Sequence, residues 1–234
     1  MSRINTMEAT NMDAADIYNF AIAKDKICYR LVNKKLNNNL LSAIPHRDFH
    51  GLAIIYCINL ETTEDSVKSV KITNRLTELW GVDEEQLYKL ACKNTPKINR
   101  GCVMPLYDVL NGLTGMTLLK DEDRKKAPYE GFDISVGREY GLPMYIATTV
   151  NQINGACVIL YAGLLKAVAE KIGSFFVLPS SIHEVIIFPG DIKDAGSMAA
   201  MVKEVNCTEV REEDILSNSC YYYNAESHSL DIVG

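Results

Sequence analysis

The sequence is poor in the features that fix a chemistry. It has no G-x-x-x-x-G-K-[ST] and no G-x-G-x-x-G, so neither standard backbone cradle for nucleotide phosphates is present. It has no G-x-S-x-G, which excludes a nucleophile elbow. Only four histidines occur. The cysteines, Cys28, Cys57, Cys92, Cys102, Cys157, Cys207 and Cys220, are odd in number, scattered and nowhere spaced C-x-x-C. That argues against a zinc ribbon or a disulfide framework. The longest clean apolar run, "LAIIYCI" from Leu52 to Ile58, is far short of the ~20 residues a membrane helix needs. The polar residues 1–12 read as a frayed leader with no signal peptide, so a reducing cytoplasm is expected.

What is there is ordinary globular sequence: 47% hydrophobic and 23% charged over 234 residues. Charge is uneven. Residues 1–120 hold 15 Lys/Arg and 13 Asp/Glu, whereas residues 121–234 hold 9 and 17. An acidic second half disfavours nucleic acid as the main partner.

The densest core-forming stretch is Pro143–Val205. "MYIATTV", "NQIN" and "GACVILY" read as two strands around a short turn. Leu164, Leu165, Val168, Ala169 and Ile172 then fall at helical spacing, ending at Gly173. "SFFVLPSS" and "HEVIIFPG" read as a second hairpin. Met198, Met201, Val202 and Val205 mark a second amphipathic helix. The period runs 2, 3.6, 2, 3.6, which predicts an α+β fold: a hairpin–helix–hairpin–helix sandwich with an antiparallel or mixed sheet and its helices on one face.

Before it lies a looser α+β half, residues 13–120. A helix is expected from Asp13 or Asp16, with Ile17, Phe20, Ala21 and Ile27 inward. "KICYRLV" reads as helix end or strand. "GLAIIYCINL" reads as a central strand and "VKSVKITN" as its half-exposed partner. Asp83 and Gln86 form a capping box, Val82 and Leu87 a hydrophobic staple, and Thr95-Pro96 a stop, so a helix is predicted over 84–94. "MPLYDVLNGL" can make a short helix. Residues 121–142, charged and aperiodic, read as a loop or hinge, with 143–234 as the second half. "REEDILSNS" predicts one helical turn, and "CYYYN" and "SLDIV" a terminal hairpin.

Candidate functional residues are few. His46 and His50 stand i, i+4, a spacing that metal sites use on helices, with Asp48 between them. Pro45 and Gly51 bracket the segment and argue against a regular helix. His183-Glu184 begins "HEVII", which lacks the second His of H-E-x-x-H. In a strand those two side chains face opposite ways. His183 could meet His46 in space, since both flank central strands. Ser180-Ser181 after a Pro read as a turn. Cys102 is the cysteine expected to be most exposed, with Arg100 able to lower its pKa. Lys89, Lys93, Lys97 and Arg100 recur along one helix as a basic ridge or a solvated face. Tyr221, Tyr222 and Tyr223 place rings on both faces of a terminal strand, so an outward ring is expected to mark a contact surface.

Three phrases, "CYRLVNKKLNNNLLSAIPHRDFHGLAIIYCI", "LTELWGVDEEQLYKLACKNTP" and "LPSSIHEVIIFPGD", together resemble the uncharacterised bacterial family called domain of unknown function 5688. The resemblance runs from about Ala23 to the C-terminus. It implies an α+β fold and a bacterial or mobile-element origin, and no activity. It also implies a further N-terminal segment in family members, where this chain shows only a short leader. The His50 position is usually apolar in the family. The expectation is a cytoplasmic binding or regulatory protein, an accessory or inhibitor of a phage or mobile element, with another protein as partner and no cofactor. The alternatives are a small-molecule or metal-dependent enzyme on His46, Asp48 and His183, and a nucleic-acid binder on the Lys89–Arg100 ridge.

Overall fold

A computed structural model describes residues 15–63, 66–112, 129–136, 143–179 and 181–234. The leader, most of the 121–142 loop and Ser180 lie outside the described residues.

The chain enters through a 3-10 turn, Asp16–Tyr18, and α1, Phe20–Ala23, capped by Asn19, whose Oδ1 accepts from Ala21 N. Ile27–Asn33 is then a strand, β1, whose alternation puts Ile27, Tyr29 and Leu31 into the main core. After α2 (Asn38–Leu41) come β2 (His46–Phe49), β3 (Leu52–Thr62) and β4 (Val67–Lys71). They form one sheet around β3, which pairs antiparallel with β1 on one side and with β2 and β4 on the other. The β2–β3 turn is His50-Gly51, both at positive φ (46° and 80°), the left-handed pair that a two-residue hairpin needs.

Helix α3 (Asn74–Trp80) ends at a left-handed Gly81. Helix α4 starts at Glu84 with the expected capping box from Asp83 and Gln86. It does not stop at Thr95-Pro96 but runs to Ile98 with Pro96 inside. The missing N–H of Pro96 costs one bond, and Thr95 is held where it is by tertiary bonds: its Oγ1 donates to Ala91 O and accepts from Tyr29 N. Asn94 donates to the Lys24 and Ile27 carbonyls. Thus α4 occupies backbone groups along the outer edge of β1.

The second sheet holds β5 (Gly101–Pro105), then, past α5 (Leu106–Leu110), β6 (Phe132–Ile134) and β7 (Tyr145–Thr149). Helix α6 (Leu164–Ile172) leads to β8 (Phe175–Leu178) and β9 (Glu184–Pro189), and α7 (Ala195–Thr208) to β10 (Tyr221–Asn224) and β11 (Ser229–Ile232). Their order is β11-β10-β8-β9-β7-β5-β6, antiparallel except for β5–β6. Strands β5 and β6 come from before residue 143, so this sheet is built across the expected boundary.

Three further expectations are corrected. Residues 155–160 form a 3-10 segment, not a strand paired to β7. Both edges of β7 are already taken by β5 and β9, so the apolar run has no ladder to join and is buried as a plug instead. The helices do not share one face. Helix α6 adds Leu164, Ala167 and Val168 to the core of Phe175, Val177, Tyr221 and Tyr223, whereas α7 packs Met198, Ala199 and Val202 on Phe176, Leu178 and Tyr222. Those two sets alternate along β8 and β10, so the helices cover opposite faces. On α7, Met201 points to solvent and Asn206 is buried in its stead, donating to Ser217 O.

Candidate functional site

Most residues singled out in the sequence have structural partners, and they do not assemble. His46 lies in β2, not in a helix, with Nδ1 3.1 Å from Ile44 O. His50 occupies the hairpin turn, so the i, i+4 pair does not share a helical face. Asp48 accepts from Lys34 Nζ at 2.6 Å, which lowers its pKa. His183 belongs to the other sheet's surroundings. Its Nδ1 accepts from Asn154 N at 3.3 Å and its Nε2 is 3.6 Å from Asp214 Oδ1. It makes no hydrogen bond or ion pair with His46 or Asp48. Glu184 accepts from Ser181 Oγ at 2.7 Å. Among the described residues no three His, Cys, Asp or Glu side chains gather as metal ligands, and no helix is long and apolar enough to cross a membrane.

Cys102 is not exposed. It is buried in β5, and Arg100 turns to Asp133, donating to Oδ1 at 2.7 Å. The basic ridge is largely neutralised. Lys89 pairs with Glu85, Lys97 with Glu130 and Arg100 with Asp133. Lys93 is exposed and lines a hollow of about 580 Å³ with Lys97 and Lys166, facing Glu130 and Glu170. The expected outward tyrosine is absent: Tyr221, Tyr222 and Tyr223 are all buried, at 2%, 8% and 4% exposure. Strand β10 is interior, covered by the main core on one face and by α7 on the other. Tyr221 OH donates to His50 O at 2.8 Å and ties the hairpin tip of one sheet to the other sheet.

Two features had no legible signal in the sequence. The first is a polar clamp. Arg47 forks onto Glu84, Nε to Oε1 at 3.0 Å and Nη2 to Oε2 at 2.8 Å. It also donates to Glu85 and lies 3.9 Å over the Tyr88 ring. Tyr56 OH donates to Glu84 as well, and burial together with that bond pushes the Tyr56 phenol far up. The two glutamates occupy the first turn of α4, where the helix dipole favours them. Every charge has its opposite, so the clamp fastens the β2–β3 hairpin to α4 and leaves nothing free to act on a ligand.

The second is an apolar hollow. Tyr18 and Leu79, 65% and 62% exposed, stand on two different elements around a cavity of about 490 Å³. Ile17, Val70 and Leu76 also line it, with Lys71 and Arg75. Ile22, 45% exposed, is on α1 next to Tyr18. The sequence hides this patch because Tyr18 and Leu79 lie 61 residues apart.

The two sheets, the interior β10 and the histidines in separate networks define an α+β protein whose accessible features are surfaces and clefts. The chain belongs to the family of unknown function DUF5688, which matches residues 1–225. The match therefore takes in the polar leader as well as the segment from Ala23 onward. No curated protein and no solved structure matches the chain.

Proposed function

We propose that the protein acts by protein–protein contact and that the contact is made by the hollow between Tyr18 and Leu79. The observation that carries this reading is two large apolar side chains, both more than half exposed, converging on one concavity from separate elements. Aromatic and aliphatic groups around a pocket are the usual anchors of an interface. Lys71 and Arg75 on the same lining give the partner its chemistry: a segment that inserts an apolar side chain and carries carboxylates beside it. None of the seven cysteines is in a disulfide, and Cys28, Cys57, Cys102, Cys157 and Cys220 are buried, which suits a reducing bacterial cytoplasm. An accessory or inhibitor role in a phage or mobile element fits a binding protein of this size.

The test is native capture from the source cell with mass spectrometry, using the wild type, Tyr18→Ser/Leu79→Ser and His46→Ala/His183→Ala. A stoichiometric protein is expected with the wild type and the histidine variant and is lost from the patch variant. Loss from the histidine variant alone, or a metal or metabolite bound in place of a protein, overturns the reading in favour of an enzyme.

A further inference from the structure

The faces of the first sheet differ. Ile27, Tyr29 and Leu31 of β1 enter the main core, so Cys28, Arg30 and Val32 look the other way. On that outer face Cys28 is opposite Cys57 on β3, and Cys57 is opposite Lys71 on β4. Helix α2 covers only one end of the face, where Leu41 and Ile44 pack on Ala53 and Ile55. Beside the buried Cys28 and Cys57 the face opens into a cleft of about 740 Å³, closed on the far side by Asn154, Ile182, Ile215 and residues 211–213. That volume is in the range of small-ligand sites.

Arg30 and Lys71 both line this cleft. Arg30 is half-buried and donates one bond, Nη2 to Ser69 Oγ at 2.7 Å. Neither cation has a carboxylate partner among the described residues. The other half-buried arginines, Arg47 and Arg100, each hold one. Arg30 and Lys71 also approach each other: the bond of Arg30 to Ser69 carries its guanidinium across β3 to β4, where Lys71 stands two residues along on the same face. The half-buried Arg30 and the exposed Lys71 thus place two like charges, without a carboxylate between them, on a wall that also carries Leu36, Leu40 and Ile55. The acids on the opposite wall do not neutralise them. Glu213 is 74% exposed at its side chain and lies 3.5 Å from Arg211, which also holds Asp214, and Glu212 is exposed.

We propose that this cleft is a binding site for an amphiphilic organic anion, its carboxylate or phosphate head on Arg30 and Lys71 and its apolar body along Leu36, Leu40 and Ile55. The guanidinium fork supplies the directional contacts and the ammonium a point charge. This site is separate from the Tyr18–Leu79 hollow, although Lys71 stands on the lining of both.

Three probes test it on the full chain by calorimetric titration at low salt: octanoate, 1-octanol and inorganic phosphate. Octanoate is expected to bind and the other two to bind at least about tenfold more weakly, because each offers half of the recognition. Arg30→Gln is expected to weaken octanoate about tenfold or more, and Arg30→Lys to recover part of it. Lys71→Gln, at an exposed position that leaves folding intact, weakens it by a smaller factor and serves if Arg30→Gln does not fold. Tyr18→Ser/Leu79→Ser leaves it unchanged. No octanoate binding by the wild type, octanol binding as tight as octanoate, or octanoate binding indifferent to both Arg30→Gln and Lys71→Gln each overturns the proposal. Phosphate binding as tight as octanoate overturns the amphiphilic part and leaves a simple anion site.

Discussion

The two sheets solve burial differently, and the difference locates everything that can interact. The seven-stranded sheet is covered on both faces at its centre: Phe175 and Val177 look into the main core, Phe176 and Leu178 into the α7 layer, and all four are at 3% exposure or less. The four-stranded sheet is covered on one face and only partly on the other. Its outer face keeps Cys28 and Cys57 buried but leaves the Arg30–Lys71 cleft open. A doubly covered sheet spends its side chains on packing. A sheet with one incompletely covered face has positions left over for ligands.

The sharpest way to break the comparison is to truncate one side chain in each sheet. Phe175→Ala removes a fully buried ring stacked on Tyr223 at 5.2 Å and should cost about 3–5 kcal/mol. Val32→Ala, half-buried on the outer face, should cost about 1 kcal/mol. Urea midpoints at constant m-value read both. Equal costs would mean that the outer face of the first sheet is as tightly covered as the second sheet's interior, and the cleft would lose its basis.

Next in size is the plug that replaces the expected hairpin. Gly155 has no room for a side chain: an added Cβ would sit 2.2 Å from Thr148 Oγ1, 2.5 Å from Thr149 N and 2.6 Å from His183 O. Two of those are backbone atoms that cannot swing away. Gly155→Ala should therefore cost about 1–3 kcal/mol in the same urea assay, whereas Gly196, exposed in the first turn of α7 with nothing within 4 Å, tolerates alanine. A neutral Gly155→Ala would show that the 3-10 segment can shift off β7.

This position shows where the sequence was legible and where it was not. Local signals were read correctly: the capping box at Asp83, the Gly173 helix end, the β8–β9 and β10–β11 hairpins. Each depends on residues within a few positions of one another. The misses are all decided by distant neighbours. "GACVILY" has strand composition, and only the occupancy of both β7 edges forbids a strand there. Pro96 reads as a stop, and Thr95 bonding to Tyr29 from 66 residues away carries the helix past it. Tyr221–Tyr223 read as half-exposed because nothing in the sequence places α7 over them. Where the candidate residues lie is decided in the same way: His46 stands in the first sheet and His183 beside β9 of the second, which their sequence spacing does not reveal. Arg30 carries no local signal at all: its place in the cleft depends on β3 and β4, which follow it by some 20 to 40 residues.

The smallest effect is read at the buried thiols, which both sheets hold: burial raises Cys28 on β1 and Cys157 in the plug. Cys220, entering β10, is pushed up from 9.0 to about 11, and burial is its only cause. Cys57 is raised as well, but there burial is opposed by Arg30 and Lys71. A thiol is neutral when protonated, so a raised folded pKa means that the folded state holds its proton longer. Below pH 9 both states are protonated and the contribution is fully present. Between about pH 9 and pH 11 the unfolded Cys220 ionises while the folded one does not, and stability falls. The urea midpoint should therefore decline once pH exceeds 9, with the raised phenols of Tyr29, Tyr56 and Tyr161 adding to the slope above their ordinary value of 10.0. Cys220→Ala should remove its share of that decline and leave the shares of Cys28, Cys57 and Cys157. Saturating the cleft with octanoate should steepen the Cys57 share, since a bound anion cancels the cations that favour its thiolate. A midpoint that stays level up to pH 10.5 in the wild type would show that the buried thiols of both sheets reach solvent in the folded state.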